Sequence, residues 1–190
     1  MKIAQVAPLY ESVPPKFYGG TERIVSYLTE ELVKQGHEVS LFASGDSVTR
    51  AKLIAPCKTS LRLRKNCLDQ LAHHFYMLEM VQQRLEEFDI VHYHIDYQHF
   101  SLSRKNKKPN LTTMHGRLNI PDIFPLHEEF NEMPLVSISD SQRSPLPNSN
   151  WVSTIYHGLP KNLLEFNGEK GEYLAFLGRI SPEKRLDRAI

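Results

Sequence analysis

Residues 19–43, GGTERIVSYLTEELVKQGHEVSLFA, decide the fold class of this chain. From Thr21 to Gln35 the apolar residues recur with the period of an α-helix. The predicted apolar face of this helix consists of Ile24, Leu28, Leu32 and Val33. Gly36 suits the residue after a helix end, and Glu38–Ala43 has the short apolar run of a buried strand. A helix that leads directly into a buried strand is typical of a βαβ unit.

The same alternation of strands and helices continues along the chain. Five more strands are predicted, at Ile3–Ala7, Ile90–Tyr93, Leu111–Met114, Leu135–Ile138 and Trp151–Ile155. A second helix is predicted over Leu68–Phe88, with an apolar face formed by Leu71, Phe75, Leu78, Val81 and Leu85. Strands that alternate with helices of this length predict an α/β fold, a Rossmann-like, doubly wound and mostly parallel sheet.

The chain is predicted to contain one domain and the beginning of another. Residues 1–160 form the Rossmann-like domain, and 161–172 read as a polar linker. Tyr173–Leu177 has the pattern of a buried strand, and Ser181 with Pro182 is a helix start that we expect to continue for several turns. The second domain therefore looks cut at its beginning. The apolar strand at 173–177 is predicted to leave an exposed edge, which favours a dimer.

Composition excludes several classes of partner and location. The formal net charge is +1, with 23 basic and 22 acidic residues, so no global charge attracts nucleic acid. Peripheral membrane association stays open. Cys57 and Cys67 lack the Cys-x-x-Cys spacing of a redox or zinc motif, and no apolar run suits a signal peptide or a membrane span. A cytoplasmic location is expected.

The first candidate site is Gly19-Gly20, between the first strand and the first helix. Ligands of parallel sheets bind at the carboxyl ends of strands, where glycines let backbone N–H groups and a helix N-terminus approach a phosphate. The position therefore predicts a diphosphate cradle. On the dipeptide alone the alternative is stronger, namely a flexible loop with Thr21 as the helix N-cap. The pattern is neither Gly-x-Gly-x-x-Gly nor a Walker loop.

Histidines and an aspartate follow the strand at Ile90–Tyr93. Alternation places His92 and His94 on the same face, as a metal pair requires, but no third ligand is evident. No metal is therefore predicted: His92 is interpreted as a sheet-face residue and His94 as a cleft residue. Asp96 and Asp140 are the nearest candidates for a catalytic carboxylate.

Two further candidate sites lie later in the chain. His115 follows another strand, where it could donate to a sugar hydroxyl or polarise a reacting oxygen; the alternative is a turn histidine satisfied by backbone. Near the chain end, Arg179 and Lys184 together could clamp a pyrophosphate. As an isolated pair they could equally be solvated charges.

The order of these motifs resembles the amino-terminal half of family-four glycosyltransferases. The matching residues are Tyr18-Gly19-Gly20-Thr21-Glu22-Arg23, Gly36-His37-Glu38-Val39, Asp89-Ile90-Val91-His92, Thr113-Met114-His115-Gly116, Ser137-Ile138-Ser139, Tyr156-His157-Gly158-Leu159 and Phe176-Leu177-Gly178-Arg179-Ile180-Ser181-Pro182-Glu183-Lys184. The resemblance covers nearly the whole chain, and some segments are similar to a bacterial subgroup. Arg185 stands where the family usually has glycine.

The resemblance implies a retaining enzyme of GT-B fold that transfers a hexose from a UDP- or GDP-type nucleotide sugar to an acceptor hydroxyl. It implies that Gly19 and Gly20 contact the donor diphosphate and that His115 lies near the transferred sugar. Arg179 and Lys184 would hold the leaving diphosphate from the second domain, in place of a metal ion. No further cofactor is implied. Most of the donor-binding domain would be absent, so the chain alone is expected to be nearly inactive.

Two other functions remain open from the sequence. The chain could be a non-catalytic binding or interaction module whose partner supplies the second domain. It could also belong to another class of Rossmann protein, such as a dinucleotide enzyme. That class is disfavoured because the first strand-to-helix turn lacks its glycine fingerprint and no suitably placed acidic residue follows the second strand.

Overall fold

The computed structural model describes residues 1–62, 64–178, 180 and 182–188. The chain divides into two units, Met1–Leu159 and Pro160–Ile190. All the strands found in the described residues belong to one sheet in the first unit. No helix of the described part of the chain is both long and apolar enough to span a bilayer.

The first unit is an open, wholly parallel sheet of seven strands. The strands are β1 Lys2–Val6, β2 Glu38–Phe42, β3 Lys52–Ile54, β4 Ile90–Tyr93, β5 Asn110–Thr113, β6 Leu135–Ser137 and β7 Trp151–Thr154. The helices are α1 Gly20–Lys34, α2 Gln70–Gln82, α3 Phe100–Asn106, α4 Phe124–Glu129 and α5 Asp140–Arg143, with short 3₁₀ turns at Leu85–Glu87, Asp96–His99 and Pro121–Ile123. The strand order is β3-β2-β1-β4-β5-β6-β7, so its direction reverses between β1 and β4.

The sheet confirms the predicted α/β, Rossmann-like fold. All six strands predicted within residues 1–160 are present with ends within one residue, and of the seven strands in this sheet only β3 was not predicted. The two faces of β1 pack against different helices. Ala4 and Val6 lie in a core cluster with Val81 of α2, whereas Ala7, directly after β1, clusters with Val25 of α1. Alternation along β1 thus places helices on both sides of the sheet.

The predicted buried face of α1 is wrong. Its buried residues are Glu22, Val25, Ser26 and Thr29. Ile24, Leu28, Leu32 and Val33, which the sequence predicted to form that face, are only half-buried. Small side chains let a helix approach a sheet closely, so Ser26 and Thr29 occupy the packed surface and the larger apolar residues lie at its margins.

The second helix is shorter than predicted and its apolar face is only partly buried. It ends at Gln82 rather than Phe88, and a separate turn at Leu85–Glu87 follows. Leu78, Val81 and Leu85 are buried as predicted. Leu71 and Phe75 are 52% and 58% exposed, because His74 and Met77 take the positions that face the sheet.

The second unit does not contain the predicted strand. Tyr173, Leu174 and Leu177 are more than four-fifths exposed, and residues 173–177 have no regular secondary structure. A strand needs a neighbour to accept and donate its backbone hydrogen bonds, and the described residues of this unit provide none. The dimer predicted from an exposed strand edge at residues 173–177 therefore has no support in the structure. The assignment of residues 173–190 to a second domain stays a prediction.

The helix expected after Pro182 is also short. Pro182–Lys184 and Leu186–Arg188 form single 3₁₀ turns, and Ser181 lies outside the described residues. Arg185 between them has φ 50°, in the left-handed region that favours glycine. The resemblance predicts glycine at this position, and glycine adopts such a backbone conformation without strain.

His99 is a buried histidine on the α2 side of the sheet. Its burial predicts that the stability of the fold decreases in acid. Its Nδ1 lies 2.7 Å from Ser103 Oγ and its Nε2 lies 2.7 Å from Thr112 Oγ1, while its ring stacks on Tyr93. Burial lowers the pKa of His99 to about 3. A group whose pKa falls on folding stabilises the fold above its unfolded pKa, and this contribution is lost as the pH decreases toward the folded value.

We therefore expect His99→Gln to weaken the pH dependence of stability. Between pH 7 and pH 5 the free energy of unfolding of the unmodified chain should decrease by about 2 kcal/mol more than that of the variant. Urea unfolding at both pH values measures the difference. Equal decreases in the two proteins would show that His99 does not titrate in this way.

Candidate functional site

A cluster of polar side chains lies where the strand order reverses. Gln5 of β1 is paired in register with His92 of β4, and both residues face the α1 side of the sheet. His94 follows β4 on the same side, and Thr113 ends β5 beside it. The carboxyl edge at a reversal of strand order is the usual ligand position in an open parallel sheet.

Hydrogen bonds connect these side chains in one continuous run. His115 Nε2 lies 2.9 Å from His94 Nδ1, and His94 Nε2 lies 2.8 Å from Gln5 Oε1. Gln5 Nε2 is 3.4 Å from His92 Nδ1, and His92 Nε2 is 2.8 Å from Thr113 Oγ1. The prediction that His92 and His94 share a face is correct, and their ring centroids are 4.1 Å apart.

The three imidazoles are neutral at neutral pH. Burial lowers the pKa of His92 to about 4. Burial, with smaller contributions from neighbouring histidines, lowers the pKa of His115 to about 3 and holds that of His94 well below its usual value. A neutral imidazole carries one donor and one acceptor nitrogen, so the cluster offers directed hydrogen bonds rather than positive charge.

The structure brings together Asp96 and His115, the two predicted catalytic residues. Burial raises the pKa of Asp96 to about 6, and a hydrogen bond from the backbone of His115 partly opposes this shift. His115 Nδ1 is buried and has no hydrogen-bond partner among the described residues. The ring is therefore not a turn histidine satisfied by backbone. The His157 ring, predicted only as part of a motif, packs edge-on against it at 5.2 Å.

The turn that carries His115 is held by a side chain that the sequence reasoning missed. Gln142 Nε2 donates to the carbonyl oxygens of Met114 and Gly116, on either side of His115. Its Oε1 accepts from the Ile138 backbone. The N-cap Ser139 accepts from the backbone of Gln142, so the Ser-x-x-Gln pattern of a capped helix was the available signal.

The two glycines before α1 differ in their surroundings. A Cβ on Gly19 would lie 2.7 Å from the Pro15 Cβ, so only glycine fits there, whereas a Cβ on Gly20 would meet nothing within 4 Å. Gly19 is the N-cap of α1 without a capping side chain, and Thr21 lies inside the helix. The alternative in which Thr21 caps the helix is therefore wrong.

Charged side chains near this loop were not predicted. Glu22 is buried, and burial raises the pKa of its carboxyl although backbone hydrogen bonds, including one from Glu11, oppose the shift. Arg62 pairs with Glu11 at 2.6 Å, and its guanidinium lies 5.4 Å from the centroid of the Tyr18 ring. The glycine loop thus lies beside a cation that is already paired.

The other predicted site residues belong to the second unit. Lys184 is exposed at the end of a 3₁₀ turn, and Arg179 lies outside the described residues. Among the residues that the structure describes, no group of three His, Cys, Asp or Glu side chains is placed to hold a metal ion.

Comparison with known proteins identifies the family. The model for Glycosyltransferase Family 4 matches residues 18–151, which is more than half of the chain and contains α1, the histidine cluster and Gln142. The chain belongs to this family. No curated protein matches the sequence significantly.

Several solved structures are similar to this family member at low sequence identity. Sucrose-phosphate synthase from Thermosynechococcus elongatus is 13% identical, with a TM-score of 0.56 over 82% of this chain and 47% of that one. AviGT4, a glycosyltransferase involved in avilamycin A biosynthesis, is 23% identical, with a TM-score of 0.46 over 76% and 38%. A glycosyltransferase from Rickettsia africae ESF-5 is 21% identical, with a TM-score of 0.49 over 75% and 38%. The chain thus spans less than half the length of each of these proteins.

The raised pKa of Asp96 predicts a stabilising substitution. Below pH 4 the carboxyl is protonated in the folded chain, and its contribution to stability is lost as the pH rises through about 6. Asp96→Asn removes this loss, and asparagine tolerates the left-handed φ of 52° at this position. At pH 8 we expect the variant to have a free energy of unfolding about 1 to 3 kcal/mol higher than the unmodified chain.

Urea unfolding at pH 4 and pH 8 tests this expectation. The increase in the free energy of unfolding should be much smaller at pH 4, where the aspartic acid and the asparagine at position 96 are both neutral in the folded chain. A gain of the same size at both pH values would mean that charge on Asp96 is not its cause.

Proposed function

We propose that this chain is the acceptor-side half of a retaining glycosyltransferase. The enzyme transfers a hexose from a nucleotide-diphosphate sugar to an acceptor hydroxyl, and a donor-binding domain follows the described sheet. The observation that carries the proposal is the family match over residues 18–151, because that range contains the neutral histidine cluster at the reversal of strand order. This chain covers only 47% of the sucrose-phosphate synthase that shares its fold, which favours a second domain.

The proposed reaction breaks the bond between the anomeric carbon and the diphosphate and forms a bond from that carbon to the acceptor oxygen. The bonding electrons leave with the diphosphate, and the acceptor proton passes to the diphosphate oxygen that departs. Charge therefore builds on the diphosphate in the transition state, where cations stabilise it more than in the ground state. Arg179 and Lys184 are the proposed cations, and Gly19 and Gly20 are the proposed backbone contacts.

His115 and Asp96 are the proposed residues at the reacting sugar. Both lie at the carboxyl edge of the sheet, where Gln5 and His94 are buried and His115 and Asp96 are half-buried. Partial burial strengthens hydrogen bonds to a sugar, and a fixed turn keeps His115 in place. Asp96 is assigned no nucleophilic role, since the proposed mechanism does not require one.

A transfer assay tests the proposed function. The reading frame beyond Ile190 should encode a second domain, and the protein expressed through it should bind one of the UDP-, GDP- or ADP-sugars in calorimetric titration. It should also release the nucleoside diphosphate with retained configuration in the product. The 190-residue chain alone should give less than about 1% of that rate, because half of the contacts to the transition state would be missing. Turnover by the chain alone at a similar rate would contradict the proposed arrangement.

Gly19 and Gly20 provide a matched pair of substitutions. Gly20→Ala adds a methyl group in open space, so the free energy of unfolding should stay within about 0.5 kcal/mol. If a diphosphate approaches the backbone here, the same methyl group should raise the donor Kd in the longer protein by about tenfold, since a lost close contact is worth roughly 1.4 kcal/mol.

Gly19→Ala is the control. Its methyl group would clash with Pro15 and should lower the stability by about 1 to 3 kcal/mol. Calorimetry and urea unfolding separate the two effects. An unchanged donor Kd in Gly20→Ala would remove the diphosphate cradle from the proposal.

A further inference from the structure

In the chain of hydrogen bonds from His115 to Thr113, a donor and an acceptor can be assigned to each bond. The Gln5 side-chain oxygen has no proton and can only accept, so His94 Nε2 must carry the hydrogen that it donates over 2.8 Å. His94 is neutral, so its Nδ1 then has a lone pair and accepts from His115 Nε2 over 2.9 Å. His115 therefore carries its hydrogen on Nε2.

The donors and acceptors between Gln5, His92 and Thr113 can be assigned in the same way. The Gln5 amide nitrogen can only donate, and its neighbour is His92 Nδ1 at 3.4 Å. His92 is neutral, so its hydrogen lies on Nε2 and is donated to Thr113 Oγ1 over 2.8 Å. One orientation of the Gln5 amide thus sets the tautomer of the histidine on each side of it.

The result at His115 is a buried, unpaired acceptor. With the hydrogen on Nε2, its Nδ1 has a free lone pair, and this atom has no hydrogen-bond partner among the described residues. An unpaired buried nitrogen costs free energy, and a ligand hydroxyl that displaces the protein atoms covering Nδ1 and pairs with it recovers that cost on binding. The required ligand group is a hydrogen-bond donor. Phosphate and carboxylate oxygens are excluded because they can only accept.

We propose that Gln5 and His94 are positioning residues that hold His115 as the Nε2–H tautomer, so that its Nδ1 accepts a hydrogen bond from a sugar hydroxyl. The choice of a sugar rests on the proposed function. The sequence had suggested that His115 donates to a sugar hydroxyl, and the hydrogen-bond run reverses that role. The site therefore selects for a hydroxyl at one position of the ligand and rejects an anion there.

Histidine tautomers are measured directly by long-range ¹H–¹⁵N NMR of the ¹⁵N-labelled chain at pH 7.5. We expect His92, His94 and His115 all to show a protonated Nε2 and an unprotonated Nδ1. A protonated Nδ1 on His115, which would follow from the opposite orientation of the Gln5 amide, or an equal mixture of tautomers, would overturn the proposal.

A substitution separates positioning from simple packing. Gln5→Met keeps the length of the side chain and removes both hydrogen bonds, so His115 should become a mixture of tautomers. His99→Gln is the matched control: it alters a buried histidine on the opposite face and should leave His115 as Nε2–H. An unchanged His115 tautomer in folded Gln5→Met would show that Gln5 does not position it.

A second variant keeps the test decisive if Gln5→Met does not fold. In Gln5→Glu the carboxylate accepts from both neighbours, so His92 should change to Nδ1–H while His94 and His115 keep Nε2–H. No change at His92 would contradict the directed run.

Ligand titrations test the hydroxyl. UDP-glucose, GDP-mannose and ADP-glucose are added to the ¹⁵N-labelled longer protein, which contains the second domain. UDP, GDP and ADP are the controls. The sugar nucleotide that binds should shift the His115 Nδ1 resonance, and the nucleotide alone should not. Binding without that shift would overturn the role of His115. If the tautomers are as expected but no sugar nucleotide binds or is turned over by the longer protein, the proposed function fails while the positioning by Gln5 and His94 stands.

Discussion

The parallel pairing of β1 with β4 is the constraint on which the site depends. The strand order reverses there, so the connections on either side diverge and leave a crevice at the carboxyl edge. Register matters equally, because a slip of one residue would turn Gln5 away from His92 and toward the apolar cluster around Val81. A buried amide without hydrogen bonds is costly. The polar run therefore favours the register that creates it.

Much of the fold could be predicted because its signals are local. Ile90–Tyr93 is a short apolar run, and its ends agree with the structure. A parallel sheet places the residues after each strand at one edge, which is why Gly19, His94 and His115 could be assigned to the same side from sequence. β3 was missed because Lys52–Ile54 has only three residues, too few for a period to be detected.

The features that could not be predicted from the sequence depend on contacts between distant segments. Gln5 in a strand and Gln142 in a short helix look like ordinary polar residues, and only the fold brings them to histidines and to a turn that lie far away in sequence. The buried face of α1 likewise depends on how closely the helix approaches the sheet, which apolar periodicity does not encode. Residues Tyr173–Leu177 have the apolar pattern of a strand. They form no strand, because no neighbouring strand pairs with them among the described residues.

The neutrality of the histidines determines how the proposed enzyme divides its work. Neighbouring imidazoles in a buried cluster cannot all be charged, because each added charge would be desolvated and would repel the next. The cluster can therefore orient a sugar but cannot stabilise negative charge on a departing diphosphate. In the proposed reaction that charge is met elsewhere, by the proposed contacts to backbone N–H groups at the start of α1 and by the proposed cations Arg179 and Lys184. A neutral, directed acceptor at the sugar and positive charge at the phosphate are then complementary requirements. In the proposed site they distinguish the two ends of the ligand and so set its orientation.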